Sequence, residues 1–219
     1  YRDIIMKFLI VIDPIDTLNV IHDSSIGMMK AIQNQGSQVH ICTTSDLFID
    51  NAKAYTQATQ INIDTQSSCW YHTLKTHKAN LTEFDVILMR KDPPFNMQYV
   101  YTTYILDIAA NSGTLVSNNP TSLRNFNEKL ILNHFPDLTT QYCVSSNHQT
   151  IQDFLHTHRD CVIKALDSMG GQAIFRIKHN TDYMPILNRA TEQQQRHVMI
   201  MPYIPEVTIG DKRLLIING

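Results

Sequence analysis

Long apolar runs are missing from this sequence: no stretch of its 219 residues approaches the roughly 20 apolar positions that a bilayer-spanning helix needs. The compact block Phe8 to Ile12 is stopped at once by Asp13, so it reads as a buried strand and not as a signal peptide. Cysteine is sparse. Cys42, Cys69, Cys143 and Cys161 are scattered, without a C-x-x-C pair, which excludes a disulfide framework and makes reduced thiols in a cytoplasm the simplest expectation. Excess charge of one sign is also lacking. A formal net charge of -2 without a long basic run argues against a nucleic-acid binder. Neither G-x-x-x-x-G-K-[ST] nor G-x-G-x-x-G occurs, which disfavours the P-loop and Rossmann nucleotide folds. His72 and His77 are five apart, and His156 and His158 two apart, so neither pair has the i, i+4 spacing of a helical zinc site.

What is present is an alternation of strand and helix patterns. Lys7 to Ile12 and Asp85 to Met89 are continuous apolar runs, as expected for strands buried on both faces of a parallel sheet. Asp23 to Ser25 supply N-cap candidates for a helix in which Ile26, Met29 and Ile32 recur, with Gly36 placed for a left-handed cap and Val39 to Cys42 as the next strand. A second helix is expected from about Gln98 to Asn111, closing near Gly113, with Thr114 to Ser117 a further strand. Asn51 to Ile63 reads as an irregular hairpin or meander, and residues 64–82 yield no assignment. The fold class is therefore α/β, with a parallel sheet up to about residue 120.

Pro120 to Leu132 reads as one or two short helices, after which the pattern changes and a second domain is expected. Its strands are Thr140 to Val144, Cys161 to Ala165, Ala173 to Ile177 and Val198 to Tyr203, with helices at Thr150 to His156 and Pro185 to Gln193. The most informative segment is Val162 to Gly171, where an apolar strand delivers Lys164 and a turn of small residues follows. A strand-held ammonium supplies fixed positive charge, and glycines let backbone N–H groups approach phosphate oxygens. On the residues alone, a surface hairpin with an ordinary Gly-Gly turn and a solvated lysine is the favoured reading.

Taken in order, Met89-Arg90-Lys91-Asp92-Pro93-Pro94-Phe95, Asn118-Asn119-Pro120 through Ser122-Leu123-Arg124, Asn127-Glu128-Lys129-Leu130, Lys164 to Gly171 and Gly210-Asp211-Lys212-Arg213 resemble the bacterial glutathione synthetases. The likeness runs from about Met6 to Gly219. It implies an N-terminal α/β domain, residues 6–122, followed by the first part of an α+β ATP-grasp domain, residues 123–219. The implied activity is ATP-dependent ligation of γ-glutamylcysteine to glycine through an acyl phosphate, with ATP and magnesium as cofactors and a homo-oligomeric, cytoplasmic enzyme as the carrier.

By the same resemblance, Lys129 and Lys164 hold ATP phosphates, and Ser168, Met169, Gly170 and Gly171 form a loop that closes over them. Met201, Tyr203 and Ile204 present main-chain groups to adenine. Arg90, Asp92 and Asp211 meet the peptide substrate, and Arg213 faces the reacting groups. For each of these the residues alone leave a plainer reading: a solvated helix lysine at Lys129, a core strand at Met201 to Ile204, an edge-strand charge pair at Asp211 and Arg213, and a stiff turn at Arg90 to Pro94.

The magnesium ligands of the family are expected beyond Gly219. Arg213 to Ile217 has strand character and Asn218-Gly219 is a hairpin-turn signal, so the chain is expected to be the front part of a longer protein, inactive alone. Tyr1 to Ile5 read as upstream or added residues. Two alternatives stand beside the ligase reading: another ATP-grasp carboxylate–amine ligase, and a non-catalytic nucleotide- or peptide-binding fragment.

Overall fold

The computed structural model describes residues 5–65, 67, 69–91, 94–167, 173–210, 212 and 214, which divide into two compact units, Tyr1–Asn127 and Glu128–Gly219. The hairpin signal at Asn218-Gly219 lies outside the described residues, as does the strand expected over 213–217 apart from Leu214.

The first unit is built on a seven-stranded sheet. Strands β1 (Lys7–Val11), β2 (Gln38–Cys42), β3 (Leu47–Asp50), β4 (Lys53–Ile63), β5 (Tyr71–Asn80), β6 (Val86–Met89) and β7 (Leu115–Ser117) run in the order β3-β4-β2-β1-β6-β7, with β5 on β4. The β2-β1-β6-β7 part is parallel, as its apolar runs led one to expect. The reason those runs are continuous is visible in β1. Leu9 and Val11 enter one core cluster with Leu106 and Ala109 of α2 (Met97–Asn111), whereas Ile10 and the following Ile12 enter another with Ile26, Met29 and Ile32 of α1 (Ser24–Asn34). A strand covered on both faces has no polar side to alternate with.

Capping follows the sequence signals. The Asp23 carboxylate accepts from Ser25 N, Asn96 caps α2 by accepting from Tyr99 N, and Gly36 and Gly113 take positive φ just past the helix ends. The region read as an irregular hairpin is more regular than that reading. Asn51 and Ala52, both at positive φ, turn β3 into β4, which then continues as one strand of 11 residues and pairs with β5. The unassigned region thus holds an edge strand whose residues are mostly exposed, with Ala79 its one buried side chain.

The second unit has a four-stranded antiparallel sheet in the order β10-β9-β11-β8, made of β8 (Cys143–Ser145), β9 (Asp160–Ala165), β10 (Ile174–Lys178) and β11 (Val198–Pro202). Helices α4 (His148–His158) and α5 (Met184–Ala190) pack on one face, where Ile151, Leu155, Ile163, Ile177, Leu187 and Ile200 form the core. The short α3 (Pro120–Asn125) belongs to the first unit, where Arg124 pairs with Asp107 at 2.6 Å. Among the described residues no helix is long and apolar enough to cross a membrane.

Candidate functional site

Alternation along β9 decides what the second unit offers a ligand. Cys161, Ile163 and Ala165 point into the helix-covered core, so Asp160, Val162 and Lys164 take the opposite face. Register extends that face sideways: Lys164 lies opposite Ile174 on β10 and Met199 on β11, and Val162 lies opposite Arg176 and Met201. One sheet face therefore carries a lysine on an apolar floor, with a charged border.

Lys164 is half-buried. Burial, and after it the nearby Lys129 ammonium, push its pKa below the usual lysine value of 10.5. Lys129 is itself well covered, with a side chain 14% exposed and Glu128 Oε1 at 2.5 Å from Nζ. The two lysines named from the sequence are thus close enough to repel each other, an arrangement that a polyanion bound between them would relieve. The sign of the pH dependence follows. A protonated Lys164 attracts an anion, so the affinity of this face for a phosphate-bearing ligand should fall as pH rises through its lowered pKa, at a pH below that at which an ordinary lysine titrates. A pH series of nucleotide affinity measures this, and Lys164→Arg should flatten it because guanidinium stays charged.

The border of the face joins Tyr203, named from the sequence for its main chain, to an ion pair of Arg176 and Asp160 that sequence reading missed. Arg176 donates to Asp160 through Nε (2.9 Å) and Nη2 (2.6 Å), and its guanidinium lies 3.5 Å from the centroid of the Tyr203 ring. The Arg176 hydrogen bond holds the Asp160 carboxyl below the usual carboxylate range. Tyr203 N donates to Asp160 O at 2.9 Å, which pins the chain where it leaves β11. The β8 register on β11 ends at Ile200 while the β9 register runs on to Pro202, so Met201 begins a sheet edge. Ile204 follows, 52% exposed, its carbonyl accepting from Val207 N at 3.2 Å. Alternation from Lys164, once β9 is assigned, would have pointed to Asp160 and Val162; the partners across the strands needed the register.

The first unit offers a separate crevice. Helix α1 crosses from β1 to β2 on one face and α2 from β6 to β7 on the other, so the C-terminal ends of β1 and β6 form a topological switch point. Arg90 emerges there, its N–H on Val11 O at 2.8 Å and its Nη2 on Ser24 Oγ at 2.8 Å, beside the ion pair of Lys91 with Asp13 at 2.7 Å. Ser168, Met169, Gly170, Gly171, Asp92, Asp211 and Arg213, also named from the sequence, lie outside the described residues.

Burial pushes the Cys42 thiol up to about 12 and the Cys161 thiol up to about 11, far from nucleophilic thiolates.

Comparison with known proteins decides the family. The profile described as "Prokaryotic glutathione synthetase, N-terminal domain" matches residues 6–124, and "Prokaryotic glutathione synthetase, ATP-grasp domain" matches residues 128–219. The chain belongs to the prokaryotic glutathione synthetase family. Among its relatives, the glutathione synthetase of Buchnera aphidicola subsp. Acyrthosiphon pisum is 39% identical over 219 residues, which is all of this chain and 68% of that protein. That of Escherichia coli O6:H1 is 38% identical over 215 residues, 98% of this chain and 68% of that protein. Solved structures with the same fold include D-cycloserine synthetase DcsG, with a TM-score of 0.62, 14% identity and coverage of 91% of this chain and 60% of that one. A RimK domain ATP-grasp protein from Sphaerobacter thermophilus has a TM-score of 0.57, 14% identity and coverage of 91% and 64%. The chain thus spans about two-thirds of the length of these glutathione synthetases and less than that of the solved structures. The second unit is accordingly part of an ATP-grasp domain.

Proposed function

We propose that the full-length protein is a glutathione synthetase, joining γ-glutamylcysteine to glycine with ATP. The observation that carries the reading is the coupling of Lys129 and Lys164 over one face of an ATP-grasp sheet, in a chain of this family. In the reaction the cysteinyl carboxylate oxygen attacks the γ-phosphorus and ADP leaves. The glycine nitrogen then attacks the acyl carbon of the resulting acyl phosphate, phosphate leaves from the tetrahedral intermediate, and the amine gives up a proton.

The work of the protein is positioning and charge stabilisation. Lys129 and Lys164 hold the phosphates, main-chain groups of Met201, Tyr203 and Ile204 meet adenine, and the Ser168 to Gly171 segment closes over the nucleotide to keep water from the acyl phosphate. Arg90 with Asp92 and Asp211 hold the peptide, and Arg213 steadies the transferred phosphoryl group. What supports the reading is that Lys164 lies on the open face of its sheet, close enough to Lys129 for its pKa to be lowered, and that Arg90 leaves the C-terminal end of β6.

Magnesium belongs to the same reading, as the ion that neutralises triphosphate charge. Among the described residues no three His, Cys, Asp or Glu side chains converge, and the ion would take its remaining oxygen ligands from the phosphates and water, so the steps above use protein groups alone. The reading extends to a cytoplasmic homo-oligomer that acts on small molecules, with neither nucleic acid nor membrane as a partner.

Phosphate release from ATP by the protein expressed from its complete reading frame tests the proposal, with γ-glutamylcysteine and glycine supplied singly and together. Release that requires both is expected. Release with other carboxylate and amine pairs would retain the ligase chemistry and replace the substrates, and none with any pair in a folded protein would sink the proposal.

A further inference from the structure

The guanidinium of Arg90 is tied down along one edge and open at its end. Nη2 donates to Ser24 Oγ at 2.8 Å, and Nε to Ser25 Oγ at a longer 3.4 Å. In a planar guanidinium Nε–H and one N–H of Nη2 lie along the same edge. The two serines therefore fill that edge and leave Nη1 with the second N–H of Nη2. Among the described residues no acceptor takes Nη1, and no carboxylate pairs with Arg90.

The carboxylates that enter the same end of the sheet are committed elsewhere. Asp13, two residues past β1, pairs with Lys91 at 2.7 Å, and Asp23 at the start of α1 accepts from Ser25 N at 2.7 Å. What Arg90 has instead are neutral partners, Ser24 at an exposed position and Ser25 with its hydroxyl on a residue only 3% exposed. The difference is chemical. A carboxylate at position 24 would orient the fork and also cancel its charge, whereas a hydroxyl oxygen accepts the hydrogen bond and leaves the charge for another anion. The two N–H groups at the open end have the spacing of the two oxygens of one carboxylate.

We propose that Ser24 and Ser25 are positioning residues: they fix Arg90 so that the end of its fully charged guanidinium grips the α-carboxylate of the γ-glutamyl group. This rests on the glutathione synthetase reading, in which Arg90 meets the peptide. Of the two carboxylates of γ-glutamylcysteine, the cysteinyl one is phosphorylated and must be free to attack. The γ-glutamyl one keeps its charge throughout, as a permanent clamp requires.

Steady-state phosphate release by the full-length protein tests this. Ser24→Ala should raise KM for γ-glutamylcysteine by about tenfold, as expected for a lost hydrogen bond to a charged group, with kcat and the KM for ATP near those of the wild type. Ser24→Thr keeps the hydroxyl and should restore KM. Ser24→Asp should raise KM further, because its carboxylate neutralises Arg90, while an acidic residue in the first turn of α1 leaves the melting temperature equal or higher. The deciding readout uses 4-aminobutyrylcysteine, which is γ-glutamylcysteine without its α-carboxylate, as a competitive inhibitor that need not react. Its inhibition constant should be the same for wild type and Ser24→Ala. An inhibition constant raised as much as KM, a loss confined to kcat, or an unchanged KM in a folded Ser24→Ala protein would each overturn the proposal and leave the glutathione synthetase reading standing. A folded wild type that releases no phosphate with γ-glutamylcysteine and glycine would remove that reading and this proposal together.

Discussion

Lys164→Met is expected to lower kcat/KM for ATP in the full-length protein by about ten- to a hundredfold, since a charge-assisted hydrogen bond contributes roughly 1.5–3 kcal/mol. Its melting temperature should stay where it is or rise slightly. The two effects separate because the cost and the benefit of this lysine appear in different states. In the unliganded fold its ammonium is half-buried and repelled by Lys129, which is why its pKa falls, and methionine keeps the length of the side chain without that penalty. In the proposed nucleotide complex the same charge meets phosphate, and the penalty becomes attraction. Steady-state ATP kinetics together with thermal unfolding decide the matter. Unchanged ATP kinetics in a normally folded variant would remove Lys164 from the site, and a large fall in melting temperature would make its role structural.

The elements that sequence reading located best are those whose environment leaves one pattern possible. β1 and β6 are covered on both faces and read as unbroken apolar runs, and the caps at Asp23, Gly36 and Gly113 mark helix ends by chemistry local to a few residues. β5 escaped because its stability comes from main-chain pairing with β4. Its side chains, among them Lys75 and Lys78, mostly face water, and charge along an outer strand blunts association with other sheets. Nothing in such a segment alternates in hydrophobicity, so there is no period to detect.

The same division holds for the site. Lys164 was legible because a lysine in an apolar strand before small residues is locally unusual, and Lys129 only through the ordered resemblance of the whole chain. The contact joining Asp160 to Arg176 arises from the β9–β10 pairing, Tyr203 joins it where the chain leaves β11, and the coupling of Lys164 to Lys129, which lies on no strand, is likewise a product of tertiary structure. The approach of the His40 and His77 rings, 6.1 Å between centroids, is likewise a product of β2, β4 and β5 lying side by side, and five-residue spacing from His72 was no guide to the true neighbour of His77.

Ile163→Ala, one residue from Lys164, should do the opposite of Lys164→Met. Ile163 is wholly buried on the helix-covered face, with Ile151, Leu155 and Leu187 in the same cluster. Truncation removes buried apolar surface and leaves a cavity between two helices and a sheet, which costs about 2–5 kcal/mol. That is a large part of the stability available to a domain of this size. The three core clusters share no residue between the two units, so the damage should be local. Amide exchange in β9, β11 and α4 is expected to accelerate by roughly thirtyfold or more, while β1 and β6 keep their protection. ATP affinity should then fall only in proportion to the fraction of the second unit that is unfolded, and recover at lower temperature. An Ile163→Ala protein with native exchange rates in β9 would contradict the face assignment on which the position of Lys164 rests, because β9 would then have to present its other side to the helices.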